Sequence, residues 1–334
     1  MANRTILQGI IPAECAGLRL DQALAQLFSD YSRSRLTQWL KTGQVRVEGK
    51  IWRARDKVRG GEQVAIHAEL EEQTDWQPEA MPLDIVYQDD QILVINKPAG
   101  LVVHPAAGNP AGTMVNALLH HDPALISIPR AGIVHRLDKD TSGLLVVART
   151  LTAQKSLVEQ LQAHSMQREY QAIVTGVMTA GGTVEAPIGR HPVHRKRMAV
   201  TPRGKPAVTH YRVRERFRAH TWIRCTLETG RTHQIRVHLA HLLHPLLGDP
   251  VYGGRLRLPR DCTVELAAAL RNFRRQALHA GRLGLMHPDR DEFMEWQSPM
   301  PADMRQLIEL LREDARQAPE DDEDTSGTWE YVDE

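Results

Sequence analysis

The feature that most constrains this chain is an abrupt change from polar to fully apolar residues between positions 135 and 148. Residues 135–143 (HRLDKDTSG) carry acidic, basic and hydroxyl groups, whereas residues 144–148 (LLVVA) have the composition of a buried strand. A buried strand holds the polar groups of an adjoining loop in fixed positions. The pattern therefore predicts a strand over 144–148 with a functional loop directly before it.

Two other interpretations of this loop also have to be considered. The first is a plain turn, in which Asp140 or Ser142 bonds its own backbone and Gly143 supplies an unusual dihedral angle. The second is a calcium loop, because the order of acidic and hydroxyl residues matches the opening of an EF-hand. The twelfth position of such a loop needs a bidentate Glu and is Arg149 here, so a calcium loop is excluded while the plain turn stays open.

Composition limits the setting of the protein. The 334 residues have ordinary apolar and charged fractions, which indicates a soluble globular protein with two domains. The first residues lack the layout of a secretion signal, and no apolar run approaches the length of a membrane span. Cys15, Cys225 and Cys262 are odd in number and far apart, so they form neither a disulfide framework nor a Cys-x-x-Cys pair. We therefore expect a cytoplasmic protein.

Charge is distributed unevenly along the chain. Residues 319–334 contain eight acidic residues and no Lys or Arg. Since the whole chain has a net charge of +1, the remaining residues carry +9, and a body of that sign attracts polyanions. The acidic end has few core-forming residues, and we expect it to be disordered.

Residues 18–66 are predicted to form a small module of two helices and a tight strand pair, the latter formed by Val45, Val47 and Ile51 around Gly49. Between positions 33 and 59 there are nine Lys or Arg residues and two acidic residues. This clustering favours RNA binding over a merely solvated face. The candidate RNA contacts in this module are Arg33, Arg35, Lys41 and Arg46.

A second basic stretch lies at positions 190–218, with ten Lys or Arg residues and one acidic residue. We interpret it as a phosphate-contacting loop and strand face. Its candidate RNA contacts are Arg195, Lys196 and Arg197.

The loop at 135–143 resembles the signature of the RluA-type pseudouridine synthases, enzymes that isomerise uridine within RNA. HRLD is followed by two residues and then TSG. The resemblance implies that Asp138 is the essential catalytic residue and that Arg136 helps to displace the target base from its stack. It is closest to the RluD type, and it implies that the substrates are uridines in the helix 69 stem-loop of 23S ribosomal RNA.

Two further motifs carry the resemblance. In residues 168–174 (REYQAIV) it makes Tyr170 the active-site tyrosine, stacked against the flipped base, although a Tyr in such a strand is usually a core residue. In residues 230–239 (GRTHQIRVHL) it makes Arg236 the partner of the catalytic Asp. It also implies that Lys97 and Pro98 buttress the catalytic sheet.

The resemblance covers about residues 18–312 and implies an α+β fold: a central mixed, mostly antiparallel sheet flanked by helices and loops. The small module before it resembles the αL-motif RNA-binding domain first known from a ribosomal protein. The predicted organisation is an N-terminal segment (1–17), an RNA-binding domain (18–67), a linker (68–81), a catalytic domain (82–315) and an acidic disordered tail (316–334).

Four histidines between positions 233 and 244 suggest zinc, since spacings of three can place two of them on one helical face: His233, His238, His241 and His244. No Glu completes a His-Glu-x-x-His pattern there, and no Cys is near. The chain also lacks a Walker loop and a dinucleotide fingerprint. We therefore expect neither a metal nor an organic cofactor.

Isomerisation requires the target uridine to leave its stack, at a cost of roughly a few kcal/mol. It also needs an ionised carboxylate in a water-poor pocket, and a cation such as Arg236 beside Asp138 would keep it charged. Asp138 could attack the sugar, attack the ring or remove a sugar proton, and the sequence leaves these three open.

Two other functions have to be tested against isomerisation. One is an RNA chaperone or assembly factor, which would not need the carboxylate. The other is a hydrolase that cleaves the same glycosidic bond and releases uracil. In each case the expected partner is ribosomal RNA or a pre-50S particle, with no membrane, and the protein is expected to act as a monomer.

Overall fold

The computed structural model describes residues 4–28, 31, 33–69, 76–105, 108–194, 197–317 and 329–331, with the backbone alone described at 4–5, 33–35, 68–69 and 329–331. Seven helices longer than one or two turns occur in these ranges: α1 (Leu20–Leu27), α2 (Arg33–Lys41), α3 (Met114–His121), α4 (Leu151–Gln162), α5 (Gln234–His241), α6 (Val264–Asn272) and α7 (Ala302–Gln317). The strands are β1 (Arg4–Ile10), β2 (Val45–Val47), β3 (Gln63–Glu69), β4 (Ile85–Gln88), β5 (Ile92–Lys97), β6 (Ser142–Ala148), β7 (Gln167–Thr175), β8 (Gly182–Glu185), β9 (Ile188–Arg190), β10 (Met198–Val200), β11 (Val208–Arg216), β12 (His220–Leu227), β13 (Arg257–Pro259), β14 (Leu278–Met286), β15 (Phe293–Gln297) and β16 (Trp329–Tyr331).

The N-terminal module packs α1 and α2 against a three-stranded sheet in the order β1-β3-β2. The two predicted helices are confirmed, but the predicted tight strand pair is wrong. Val47 and Lys50 form only an isolated bridge, and the partner of β2 is β3. Strand β1 lies in the segment 1–17 that the sequence set apart, and it pairs with β3 along its whole length. The reason is that β3 has two edges to satisfy, and β2 covers only one of them.

The main sheet contains nine strands in the order β4-β5-β6-β14-β7-β12-β11-β8, with β15 also paired to β14. Its pairs are antiparallel apart from β14 and β6, which run parallel. The predicted α+β fold with a mixed, mostly antiparallel sheet is therefore confirmed.

Strand β6 is buried along its whole length, which confirms the buried strand predicted from residues 144–148. Its side chains alternate between two cores. Leu145 and Val147 belong to a cluster with α3, while Leu144 and Val146 pack with α4. A strand covered on both faces needs a continuous apolar run rather than an alternating one.

The C-terminal part of the chain forms a smaller core between α6 and α7, built from Leu266, Leu270, Met304, Leu307 and Leu311. Helix α7 continues to Gln317, past the predicted domain limit at residue 315. The predicted disorder of the tail is wrong for Trp329–Tyr331, which pair with the edge of β13. An unpaired strand edge offers N–H and C=O groups to any extended segment, which explains the pairing. The rest of the tail beyond Gln317 lies outside the described residues. Among the residues that are described, no helix is long and apolar enough to cross a membrane.

Candidate active site

Asp138 lies in the loop that leads into β6, and the loop is held from three directions. Buried Lys97 donates its ammonium protons to Pro98 O, Leu101 O and Lys139 O at 2.8, 2.9 and 2.8 Å. Gln276 Nε2 donates to Thr141 Oγ1 at 3.0 Å, and Ser142 Oγ lies 3.0 Å from His279 Nδ1. These contacts keep the backbone beside Asp138 in one position.

The turn expected from this sequence is present, although its bond differs from the one expected. Thr141 N–H donates to the backbone carbonyl of Asp138 at 3.1 Å. Gly143 has a φ of 115°, and a Cβ there would lie 2.2 Å from Ala280 O. The close approach of β14 to β6 therefore requires glycine at this position.

Arg236, near the start of α5, joins two carboxylates. Its Nη1 donates to Asp138 Oδ2 at 2.9 Å, while its Nε and Nη2 donate to Asp249 Oδ2 and Oδ1 at 2.7 and 2.9 Å. The side chain of Asp138 is 17% exposed, whereas that of Asp249 is 0% exposed. Asp249 therefore anchors the guanidinium, whereas part of the Asp138 carboxylate is exposed to a neighbouring cavity.

Tyr170 projects from β7 into the same cavity. It is buried, and burial raises the pKa of its hydroxyl; the charge of Arg168 opposes this shift, and the charge of Asp138 adds to it. The ring also belongs to the large core cluster. Tyr170 therefore occupies the core position expected of a strand Tyr and also lines the cavity that contains Asp138.

His233 directs a ring nitrogen at Oδ1 of Asp138, the carboxylate oxygen that Arg236 does not bind. Met198 N–H donates to Tyr252 Oη at 2.9 Å, and that hydroxyl lies 2.8 Å from His233 Nδ1. The Tyr252 hydroxyl can donate its proton to Nδ1, and this arrangement places the ring proton on Nε2. Nε2 lies 3.8 Å from Asp138 Oδ1. Burial lowers the pKa of His233, so the ring adds a donor there without adding charge.

His233 has a φ of 56°, a left-handed backbone conformation that non-glycine residues seldom adopt. Strained backbone of this kind is concentrated at functional sites, where the surrounding structure maintains it.

Asp138, Tyr170, His233 and Arg236 line a cavity of about 560 Å³. Its walls come from the 134–141 loop, α4, β7 and the segment 227–236. Arg136 is an exposed side chain at this cavity. The structure therefore brings Arg136 and Asp138, from one loop, together with Tyr170 and Arg236, which lie far from that loop in the sequence.

Three of the other predicted RNA contacts are described and are not part of the cavity lining. Lys41, Arg46 and Arg197 are exposed. The side chains of Arg33 and Arg35, on α2, and all of Arg195 and Lys196 fall outside the described residues.

Three of the four histidines considered as zinc ligands, His233, His238 and His244, have other partners. Both ring nitrogens of His238 are bonded, to Thr209 Oγ1 and to Ala186 O, each at 2.9 Å. His244 Nδ1 lies 3.0 Å from Thr175 O. Within the described ranges, no group of three or more His, Cys, Asp or Glu side chains could hold a metal ion.

Sequence reasoning gave no role to Asp249 or Tyr252, although both lie just after the third motif. The only local signal was the turn-forming Gly-Asp-Pro at 248–250, which fits the bonds from Val251 N and Tyr252 N to Asp249 Oδ1 at 2.8 and 3.0 Å. Their contacts with Arg236 and His233 depend on the fold.

Known proteins share both parts of this structure. Residues 91–241 match the RNA pseudouridylate synthase family, and residues 18–64 match the S4 domain. A protein from Escherichia coli strain K12 named ribosomal large subunit pseudouridine synthase D is 58% identical over 94% of this chain and 97% of its own length. A protein of the same name from Xanthomonas campestris pv. campestris is 56% identical over 95% and 96%. The solved structure of human RNA pseudouridylate synthase domain containing 4 has a TM-score of 0.54 and 27% identity, covering 68% of this chain and 92% of that one.

The sheet and the loop before β6 are thus those of an enzyme that modifies RNA, and the chain belongs to the RNA pseudouridylate synthase family. Within the family it is of the RluD type, the one represented by its bacterial relatives.

Proposed function

We propose that this protein converts specific uridines in the helix 69 stem-loop of 23S ribosomal RNA to pseudouridine and thereby contributes to maturation of the large subunit. The names of the bacterial relatives, at 56–58% identity over nearly their full length, support a ribosomal substrate. The observation that carries the proposal is the 2.9 Å bond between Arg236 Nη1 and Asp138 Oδ2 at the wall of a cavity of about 560 Å³.

Asp138 is the catalytic residue in this proposal. Arg236 places a guanidinium 2.9 Å from this carboxylate, which compensates for the removal of much of its surface from water. Its Oδ1 is free to meet the target nucleotide, because Oδ2 is the oxygen that Arg236 binds. The same oxygen can attack the sugar or the ring, or accept a sugar proton.

Tyr170 and Arg136 prepare the nucleotide for this step. Displacing the target uridine costs roughly a few kcal/mol. The exposed guanidinium of Arg136 is free to enter the stack that the base leaves, and the ring of Tyr170 offers a surface on which the displaced base can stack. The raised pKa of Tyr170 keeps its hydroxyl protonated.

The N-terminal module and the 190–218 stretch hold the rest of the RNA. Lys41, Arg46 and Arg197 are exposed cations suited to phosphates. We assign the same role to Arg33, Arg35, Arg195 and Lys196 from the sequence. The partner is free 23S RNA or a pre-50S particle, and the protein works as a cytoplasmic monomer without a cofactor.

The proposal is tested with purified protein and ribosomal RNA from a strain that lacks the activity. Pseudouridine is mapped by carbodiimide-blocked primer extension, with chelator present, beside the variant Asp138→Asn. We expect new stops in the helix 69 loop with the wild type and none with the variant, while both bind the RNA equally. Stops formed by the variant, loss of activity to chelator, or stops elsewhere would each contradict the proposal.

The same samples separate the two rival functions. A hydrolase would release free uracil, which chromatography of the reaction detects, whereas a synthase releases none. An assembly factor would leave the RNA unmodified, and Asp138→Asn would then support growth as well as the wild type.

A further inference from the structure

Arg168, on β7, is a buried cation without a matching anion. Its residue is only 7% exposed, and it lines the same cavity as Asp138. Its single hydrogen bond among the described residues runs from Nη2 to the backbone carbonyl of Glu228 at 3.3 Å. Its Nε is buried and has no partner, and no described carboxylate lies within ion-pair distance of the guanidinium.

Three other arginines with little exposed side chain have carboxylate partners. Arg236 is bound by Asp138 and Asp249, Arg149 by Asp122 at 2.9 Å, and Arg275 by Asp303 at 2.8 Å. Keeping a charge away from water without a counter-ion is costly. The exception at Arg168 therefore indicates an anion that is not among the described residues of the chain.

The charge of the cavity points the same way. Its lining contains a single carboxylate, that of Asp138, which is already bonded to Arg236. It contains four further guanidinium groups: Arg130, Arg136, Arg168 and Arg231. Space is also kept for Arg168, since a Cβ at Gly230 would lie 2.8 Å from its Nη1.

The position of Arg168 relative to Tyr170 identifies the anion. The two residues are separated by one position on β7, so both side chains lie on the same face of the strand, about 7 Å apart along it. A base held at Tyr170 brings its own flanking phosphates to this part of the cavity. A phosphate supplies the full negative charge that the guanidinium lacks, and it accepts two parallel N–H bonds from it.

We propose that Arg168 binds a phosphate that flanks the target uridine, and so holds the displaced nucleotide with its base at Tyr170. The inference rests on the proposed function, because it assumes an RNA substrate in this cavity. Arg168 differs from the surface cations in when it binds RNA: it contacts its phosphate only after the nucleotide has entered the cavity.

The test combines two variants with two modified substrates. Arg168→Met removes the charge and keeps the length of the side chain, while Arg168→Lys keeps a point charge. The substrate is an RNA stem-loop containing the target uridine, either unmodified or with an uncharged methylphosphonate at the 5′ or the 3′ flanking phosphate. Dissociation constants are measured over a range of salt concentrations, and conversion is followed in single turnovers.

We expect Arg168→Met to weaken binding roughly tenfold and to reduce the slope of log K against log salt by about one, with Arg168→Lys intermediate. A methylphosphonate at one of the two positions should weaken binding to the wild type by a similar factor and have no further effect on Arg168→Met. Equal effects of both methylphosphonates on wild type and variant would overturn the inference. If the wild type fails to convert the unmodified RNA, the proposed function fails instead.

Stability without RNA separates ligand binding from a structural role. Removing an uncompensated buried charge should leave the temperature of unfolding of Arg168→Met unchanged or higher. The matched variant Arg149→Met, which breaks an ion pair outside the cavity, should lower it and leave the salt slope as in the wild type. A lowered unfolding temperature for Arg168→Met together with an unchanged salt slope would assign Arg168 to the fold.

Discussion

Asp249 binds Arg236 through both of its carboxylate oxygens, at 2.7 Å to Nε and 2.9 Å to Nη2. Only Nη1 of the guanidinium is left for Asp138. Asp249 also accepts from Val251 N and Tyr252 N, so the turn after α5 and the pair of Arg236 and Asp138 depend on one buried carboxylate. The orientation of Arg236 toward Asp138 therefore depends on a residue whose side chain is closed to solvent.

Asp249→Asn should consequently impair both activity and folding. The amide removes one charge-assisted bond to Arg236, which should lower the free energy of unfolding by about 2 kcal/mol and the single-turnover rate by at least about tenfold. Urea unfolding and single-turnover conversion measure the two effects. The control is Asp303→Asn, which weakens the more exposed pair with Arg275 and should leave the rate unchanged. A variant at 249 with the wild-type rate would show that Arg236 is oriented by other contacts.

Tyr252→Phe tests the orientation of His233. The ring over Arg236, with 5.1 Å between Cζ and the ring centroid, stays in place, while the hydroxyl that serves His233 Nδ1 is lost. That hydroxyl stabilises the neutral imidazole, so its loss should raise the pKa of His233 from its lowered value. We expect the acid side of the pH–rate profile to move to higher pH, with kcat lowered about tenfold and KM little changed.

The hydroxyl of Tyr87 offers a matched control for this prediction, because it bonds Asp89 at 2.8 Å outside the cavity. Tyr87→Phe should keep the pH–rate profile of the wild type. If both variants shift the profile alike, the effect comes from general loosening of the fold.

The elements that sequence predicted best are those whose signal is local. The apolar run at 144–148 was sufficient to identify β6, and the adjoining motif located Asp138 because its residues are consecutive. The pairing of β1 with β3 was missed, since it joins residues about 60 positions apart and depends on which edge of β3 is free. Arg168 was read only as part of a strand, because its lack of a counter-ion becomes visible only in the folded structure.

Lys97→Met should loosen the catalytic loop. Lys97 is 0% exposed and satisfies three backbone carbonyls, one of them on Lys139 beside Asp138. Methionine fills a similar volume and leaves these acceptors unpaired, which should lower the free energy of unfolding by about 2–3 kcal/mol and also slow turnover. Urea unfolding and single-turnover assays measure both, with Lys155→Met on α4 as the control. Full activity of the Lys97 variant would show that the loop holds Asp138 without the ammonium group.

Acid should destabilise the fold through histidines that are buried in the neutral form. His220, which is 2% exposed at the start of β12, has its pKa lowered to about 4 by burial. The pKa of His in an unfolded chain is about 6.5, so between these values the unfolded chain binds more protons than the folded one. The stabilisation is complete above pH 6.5 and is lost as the pH falls toward 4. His135 and His104, with pKa values lowered to about 3 and about 4, act in the same direction.

His220 should therefore reduce the free energy of unfolding by about 1.4 kcal/mol for each pH unit between about 6 and about 4. Urea unfolding of the wild type and of His220→Phe, at pH values from about 7 down to about 4, measures the slope. The free energy of unfolding of the variant should depend less steeply on pH, by the contribution of one histidine. An unchanged dependence on urea concentration shows that both proteins unfold to the same extent. Parallel pH curves for the two proteins would mean that His220 accepts its proton equally well in the folded and the unfolded state, and its pKa would then not be lowered by burial.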